Sequence, residues 1–202
     1  MKKKYILLLM LLLIIIISIC LIYRNNNKED TDIKVKYPIY EYYKLNKVIT
    51  ENINYYLKDN TDNYYFLYID YKDYEYKEYI SIVLYISYFA GGAHPNYEIK
   101  TINYNKSTNK FIDINALINM DKDILNKLSI YSREYFSNND MFNDKVVFDM
   151  MIDGTKSIKD NYKYFNITSD GLIIYFNRYQ IAPYYYGDYS ITIPYNYLDL
   201  SI

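Results

Sequence analysis

YYFLYIDYKDYEYKEYISIVLYISYFA, residues 64–90, is the densest β signal in the chain, and its reading decides the fold class. The first part alternates around Tyr65, Leu67, Ile69 and Tyr71; the second, from residue 76, places Ile80, Ile82, Leu84, Ile86 and Tyr88 on alternate positions. Period-two alternation is the mark of a strand with a buried face. Two antiparallel strands fit, with Lys72-Asp73 as the predicted turn. The second strand is apolar on both faces, which predicts a central position in its sheet.

Working outward, Gly91-Gly92-Ala93-His94-Pro95-Asn96 interrupts the pattern, residues 97–104 resume it, and Asn105 to Asn109 (NKSTN) turns the chain into Lys110-Phe111-Ile112-Asp113-Ile114. That is a further hairpin. Upstream, Ile33, Val35, Tyr37 and Ile39 alternate with Lys34, Lys36 and Pro38, a strand with Pro38 at an edge or at its end. Leu45, Val48, Ile49, Ile53, Tyr56 and Leu57 then follow helical spacing. Residues 113–119 leave the sheet, and residues 121–136 read as an amphipathic helix capped by Asp121. A short helix over 146–152 ends at an Asp153-Gly154 turn. Strands follow over 162–167 and 172–176 around Ser169-Asp170-Gly171, then 189–194, and residues 195–200 form a terminal turn or short helix. The prediction is α+β: antiparallel sheets with one or two packed helices, as one domain or as two subdomains, 33–110 and 111–202.

Residues 1–24 read differently. Lys2, Lys3 and Lys4 precede an uncharged run from Tyr5 to Tyr23, YILLLMLLLIIIISICLIY. At 1.5 Å per residue it spans about 28 Å, close to the ~30 Å hydrocarbon core of a bilayer. A retained transmembrane anchor is the preferred reading. A cleaved signal and a lipoprotein signal ending at Cys20 are the alternatives, disfavoured by the long apolar run and by bulky Ile19 where a small residue is expected. The basic N-terminus orients the span with residues 25–202 outside the cell membrane, residues 25–32 serving as a stalk. Beyond residue 24 there are 19 Lys and Arg against 24 acids, so the exterior carries a net charge of −5. That opposes nucleic-acid binding and suits a cationic partner.

Composition excludes several chemistries. In 202 residues there is one Cys and one His, so a disulfide framework, a Cys-cluster metal site and a multi-His centre are ruled out, and no cofactor or metal is expected. The 31 Tyr, with many Ile, Asn and Lys and only three Arg, follow AT-rich codons before they follow any function. His94 has no nucleophile at a fixed spacing beside it, so its expected role is to satisfy polar groups in a turn that Gly91 and Gly92 make possible. Residues 58–63 lack the Gly and terminal Glu of a calcium loop. Carboxylate pairs such as Asp70 and Asp73 default to solvated loops.

The most informative segment is Phe165 to Gly187: a hairpin turning at Gly171, then Ile181-Ala182-Pro183-Tyr184-Tyr185-Tyr186-Gly187, a loop stiffened by Pro183. Tyr supplies large contact area with few rotatable bonds. The motif Thr168-x-Asp170-Gly171-Leu172-x-x-Tyr175-Phe176-x-x-Tyr179-x-Ile181-Ala182-Pro183-Tyr184-x-x-Gly187, with Ile193-Pro194-Tyr195 beyond it, resembles the C-terminal signature of an extracytoplasmic domain family. That family occurs in lysozyme-sensing anti-sigma factors (RsiV-type) and beside the catalytic domain of peptidoglycan deacetylases (PdaC-type). Tyr88-x-x-Gly91-Gly92-Ala93-His94 and the Tyr37-Pro38 … Ile53-Asn54 segment resemble its N-terminal half. The resemblance implies the binding domain alone. The expectation is an extracytoplasmic cell-envelope domain without catalysis, binding a cationic lysozyme-like protein or peptidoglycan through Gly91, Gly92, His94, Pro95, Ala182, Pro183, Tyr184, Tyr185 and Gly187. The rival is a cell-wall hydrolase or esterase using carboxylates assisted by His94.

Overall fold

The computed structural model describes residues 10, 13–19, 31–58, 64–200 and 202, and divides into two units, 1–31 and 32–202. In the first unit residues 10 and 13–19 are helical, and Ser18 Oγ donates to Ile14 O at 2.8 Å. The rest of the Tyr5–Tyr23 span, Cys20 and the stalk residues 25–30 lie outside the described residues. Among the described residues no helix is long and apolar enough to cross a membrane.

In the second unit, a five-stranded sheet runs in the order β1 (Asp32–Val35), β2 (Phe66–Tyr76), β3 (Tyr79–Phe89), β4 (Asn96–Asn105), β5 (Lys110–Phe111). β3 is central, as its two apolar faces predict. Two expectations are corrected. The β2–β3 turn lies at Lys77-Glu78, where Lys77 takes φ +51°, and not at Lys72-Asp73. Tyr alternation simply continues through residue 76, giving two strands of 11 residues. And the sheet is mixed, because β1 pairs parallel to β2. Helix α1 (Tyr43–Leu57) connects them, and a helical crossover returns the chain to the end of the sheet from which it started. Leu45, Ile49, Ile53 and Tyr56 bury the α1 stripe against Leu67, Ile69, Ile82 and Leu84.

Beyond residue 111 the chain holds more helix than expected. Asp113 caps α2 (Ile114–Met120) by accepting from Ala116 N at 2.9 Å. Helix α3 (Ile124–Ser137) begins later than predicted; Asp121 precedes it and accepts from Asp123 N at 2.9 Å instead of capping it. Helix α4 (Lys145–Gly154) is capped by Asp144, which accepts from Val146 N and Val147 N. A three-stranded antiparallel sheet, β6 (Phe165–Ile167), β7 (Leu172–Phe176) and β8 (Tyr189–Ile193), is followed by α5 (Tyr195–Leu198). β6 is shorter than the strand predicted over 162–167. Tyr162 is instead a core residue whose hydroxyl donates to Thr155 O at 2.8 Å, and burial pushes its phenol up to about 12.

A polar seam joins the two sheets. The residues flanking β6 bond toward the β7 side, Tyr164 O accepting from Tyr175 N and Thr168 N donating to Gly171 O, so the backbone groups of Phe165 and Ile167 face the other way. Side chains of the first sheet meet them. Thr101 Oγ1 accepts from Phe165 N at 3.2 Å, Asn103 Nδ2 donates to Phe165 O at 2.8 Å, and Ser81 Oγ accepts from Ile167 N at 3.0 Å. Asn166 completes the seam, donating to Ile82 O at 3.1 Å and accepting from the Tyr175 hydroxyl at 3.0 Å. Buried backbone groups without partners are costly, and here side chains replace the missing strand.

Candidate functional site

Two loops from opposite halves of the sequence meet beside the five-stranded sheet. The first links β3 to β4. Gly91 and Gly92 take φ +95° and +109°, a region L-residues rarely enter, and they turn the chain so that His94 and Pro95 face the second loop. The second links β7 to β8. Its base is fixed by Asn177 and Gln180. Asn177 Oδ1 accepts from Ile99 N at 3.2 Å, and Gln180 Nε2 donates to Gly154 O at 3.1 Å and Asn161 O at 3.0 Å. Ile181 and Ala182 then plug the core, and residues Tyr184–Tyr186 form a 3-10 turn that Gly187 closes at φ +84°.

His94 and Tyr184 lie at the junction. Their rings stack with centroids 3.8 Å apart and planes 22° from parallel. Both donate to one acceptor, Pro95 O: His94 Nδ1–H at 3.0 Å and the Tyr184 hydroxyl at 2.7 Å. Tyr179 closes one side, 5.5 Å from Tyr184 between ring centres. The Arg178 guanidinium lies 3.7 Å from the Tyr97 ring centre and 4.6 Å from that of Tyr184, so one cation bridges both loops. Its Nε is 3.6 Å from Asp188 Oδ1. Burial pushes the Asp188 carboxyl above the usual range, and Arg178 pulls against that rise.

Beyond Tyr97 the surface continues onto the five-stranded sheet, on the same face that the second sheet packs against but past the part it covers. A groove of about 230 Å³ opens there, lined by Tyr68, Asp70, Tyr85, Ser87, Tyr97 and Asp188, with Ile86, Glu98 and Ile99 contributing at its base.

Of the residues expected to form the site, His94, Pro95 and Tyr184 come together, and Pro183 opens the 3-10 turn that carries Tyr184. Tyr185 is 75% exposed, with its ring 4.1 Å from that of Tyr186. Gly91, Gly92 and Gly187 shape the loops. Ala182 is corrected: at 2% exposure it belongs to the core and is closed to a partner, because it continues the apolar plug begun by Ile181. Arg178, Tyr97, Tyr179 and Asp188 were missed. One signal could have found Arg178. In a chain whose codons favour Lys, a retained Arg marks a place where a planar guanidinium is needed. His94 is exposed, and its partners are Pro95, Tyr184 and Tyr179; no carboxylate is among them. Among the described residues no three His, Cys, Asp or Glu gather as a metal site would need. The arrangement presents ring faces, hydroxyls and one ion pair.

Comparison with known proteins gives this surface a setting. Residues 115–196 match the family described as "Protein of unknown function (DUF3298)", so the Arg178–Asp188 loop falls inside the matched segment and the Gly91–Tyr97 loop outside it. The chain is 33% identical over 129 residues to the peptidoglycan-N-acetylmuramic acid deacetylase PdaC of Bacillus subtilis (strain 168), covering 63% of this chain and 27% of that protein. It thus spans about a quarter of the length of that relative. A DUF3298 family protein of Pseudomonas aeruginosa PAO1 shares the fold, with TM-score 0.65 at 17% identity over 84% of this chain and 83% of that one. A DUF3298 family member of Bacteroides fragilis NCTC 9343 gives TM-score 0.53 at 20% identity, covering 77% of this chain and 61% of that one.

Proposed function

Because the chain carries a DUF3298 domain and is homologous to PdaC, we propose that it is a cell-envelope binding module that performs no chemistry and engages peptidoglycan through the joined loop surface. The observation that carries this reading is the union of the two loops in one aromatic surface. His94 stacks on Tyr184 while Arg178 ties Tyr184 to Tyr97. Rigid aromatic anchors held in place before a ligand arrives reduce the ordering cost of binding. An outward position, tethered by the Tyr5–Tyr23 segment, fits a wall ligand.

A second reading, a cationic lysozyme-like protein as partner, is favoured by the −5 charge beyond residue 24. Exposed Tyr185 would then be its leading contact. The test is retention of the full chain on purified peptidoglycan sacculi and on an immobilised cationic lysozyme. Retention on sacculi that Tyr184→Ala weakens supports the first reading. Retention on lysozyme alone, lost with Tyr185→Ala and at high salt, transfers the assignment to the second. Turnover of the glycan by the purified chain would overturn both.

A further inference from the structure

We infer that the groove on the uncovered end of the five-stranded sheet is a subsite for a single uncharged sugar ring of a glycan chain; this rests on the peptidoglycan reading above and names the chemistry of its ligand. The register of the strands builds the groove. Tyr68 on β2, Ser87 on β3 and Tyr97 on β4 lie directly opposite one another, and Asp70, Tyr85 and Ile99 form the next row. Adjacent strands are ~4.8 Å apart, so Tyr68 and Tyr97 stand about 10 Å from each other with a small serine between them. A ring stacked on Tyr97 at ~4.5–7 Å fills that gap, and a second does not fit. At about 230 Å³ the groove is below the ~300 Å³ at which pockets for larger ligands begin.

The flanking charges fix the kind of ring. Arg178 covers one face of Tyr97 and pairs with Asp188, while Lys34 lies over Tyr68 and pairs with Asp32 at 2.9 Å. Tyr68 is further stacked on Phe66, ring centres 4.9 Å apart, so it stands as a fixed wall, and the face left to stack on is the one of Tyr97 that Arg178 does not cover. Each wall is also close to neutral. Glu98 turns its carboxylate to the opposite face, where it accepts from the Tyr56 and Tyr88 hydroxyls, so it brings no charge to the groove. What remains is apolar ring face together with the Tyr85 hydroxyl, Ser87 and Asp70. Asp70 is exposed, with Oδ1 accepting from Tyr71 N at 3.0 Å. A saturated ring with apolar C–H faces and a rim of hydroxyls matches this lining. An anion would meet Asp70, and a strong cation would find only that one uncompensated carboxylate. The groove is continuous with the loop surface through Tyr97, so a glycan strand lying on the loops would deliver one of its rings into it.

The experiment is calorimetric titration of the full chain with the neutral β-1,4-linked tetramer of N-acetylglucosamine, with adenosine as a flat heteroaromatic control. Binding that weakens about tenfold in Tyr68→Ala and in Tyr85→Ala, and changes less than about twofold between ~50 and ~500 mM salt, is the expected result. Tyr85 is 40% exposed, so its replacement leaves the thermal midpoint close to that of the parent chain and loss of binding is not loss of fold. No heat at about 10 mM tetramer, equal binding by the Tyr85→Ala variant, or adenosine binding as tightly as the sugar would each overturn the assignment. If sacculi are retained while the tetramer does not bind, the subsite falls and the binding-module reading stands; if neither is bound, both fall.

Discussion

Gly154 shows how a single backbone position ties the candidate surface to the core. A methyl group there would sit 2.0 Å from Gln180 O, the carbonyl of a residue that anchors the β7–β8 loop. Gly154→Ala is therefore expected to cost about 1–3 kcal/mol or more, read as a lowered thermal or denaturant midpoint, and to loosen the loop that presents Tyr184. Tyr184→Phe tests the other end of the same loop. It keeps the stacking on His94 but removes the donor to Pro95 O, and a loss of about 0.5–1.5 kcal/mol is expected, less than Gly154→Ala, from the same unfolding measurement. The residues that sequence reading reached here are those whose type announces a backbone need: Gly91, Gly92, Gly171 and Gly187. Those it missed act through ring faces. Tyr97 and Tyr179 could not be told from the other tyrosines of a Tyr-rich chain, and Arg133, which donates to Ile152 O at 3.1 Å, shares with Arg178 the rarity that could have marked both.

At the scale of elements, the seam between the sheets makes a prediction that burial alone would not. Asn166→Ala removes partners from Ile82 O and the Tyr175 hydroxyl together, and a destabilisation of about 1–3 kcal/mol is expected in equilibrium unfolding. Replacing Asn166 by Leu should be no milder, because the polar groups it serves stay buried. An inward-facing Asn reads in a sequence as an outward one, so this seam was hidden, whereas the alternation of residues 79–89 showed the central strand plainly. The β2–β3 turn was misplaced for a related reason. Lys77 and Glu78 carry no turn signature, and neither Gly nor Asn marks the left-handed position that Lys77 occupies. The parallel pairing of β1 was invisible because partner choice is non-local, although the helix that compels it was read correctly.

Across the whole unit, acid should act on the segment between the sheets and on Asp32 of β1, whose carboxyl is held low by hydrogen bonds from Tyr68 and Lys34. Hydrogen bonding from Asn115 and from Ala116 N holds the Asp113 carboxyl below its usual range, and Asp123 N with Lys127 does the same for Asp121. A lowered folded value means the ionised form is favoured by folding. The stabilisation is present above the usual pKa of 3.8 and is lost as pH falls through the lower folded values. Stability measured against pH should thus decline below about pH 4, and Asp113→Asn, by removing one of these groups, should make that decline shallower. The β6 seam has one more consequence at this scale. A strand with unclaimed amides can recruit a strand from another molecule, and concentrated β-rich chains gel by that route. With Phe165 and Ile167 occupied by side chains of the neighbouring sheet, that route is closed on one flank of the smaller sheet. Copies of the chain crowded together would then not adhere to one another along that flank.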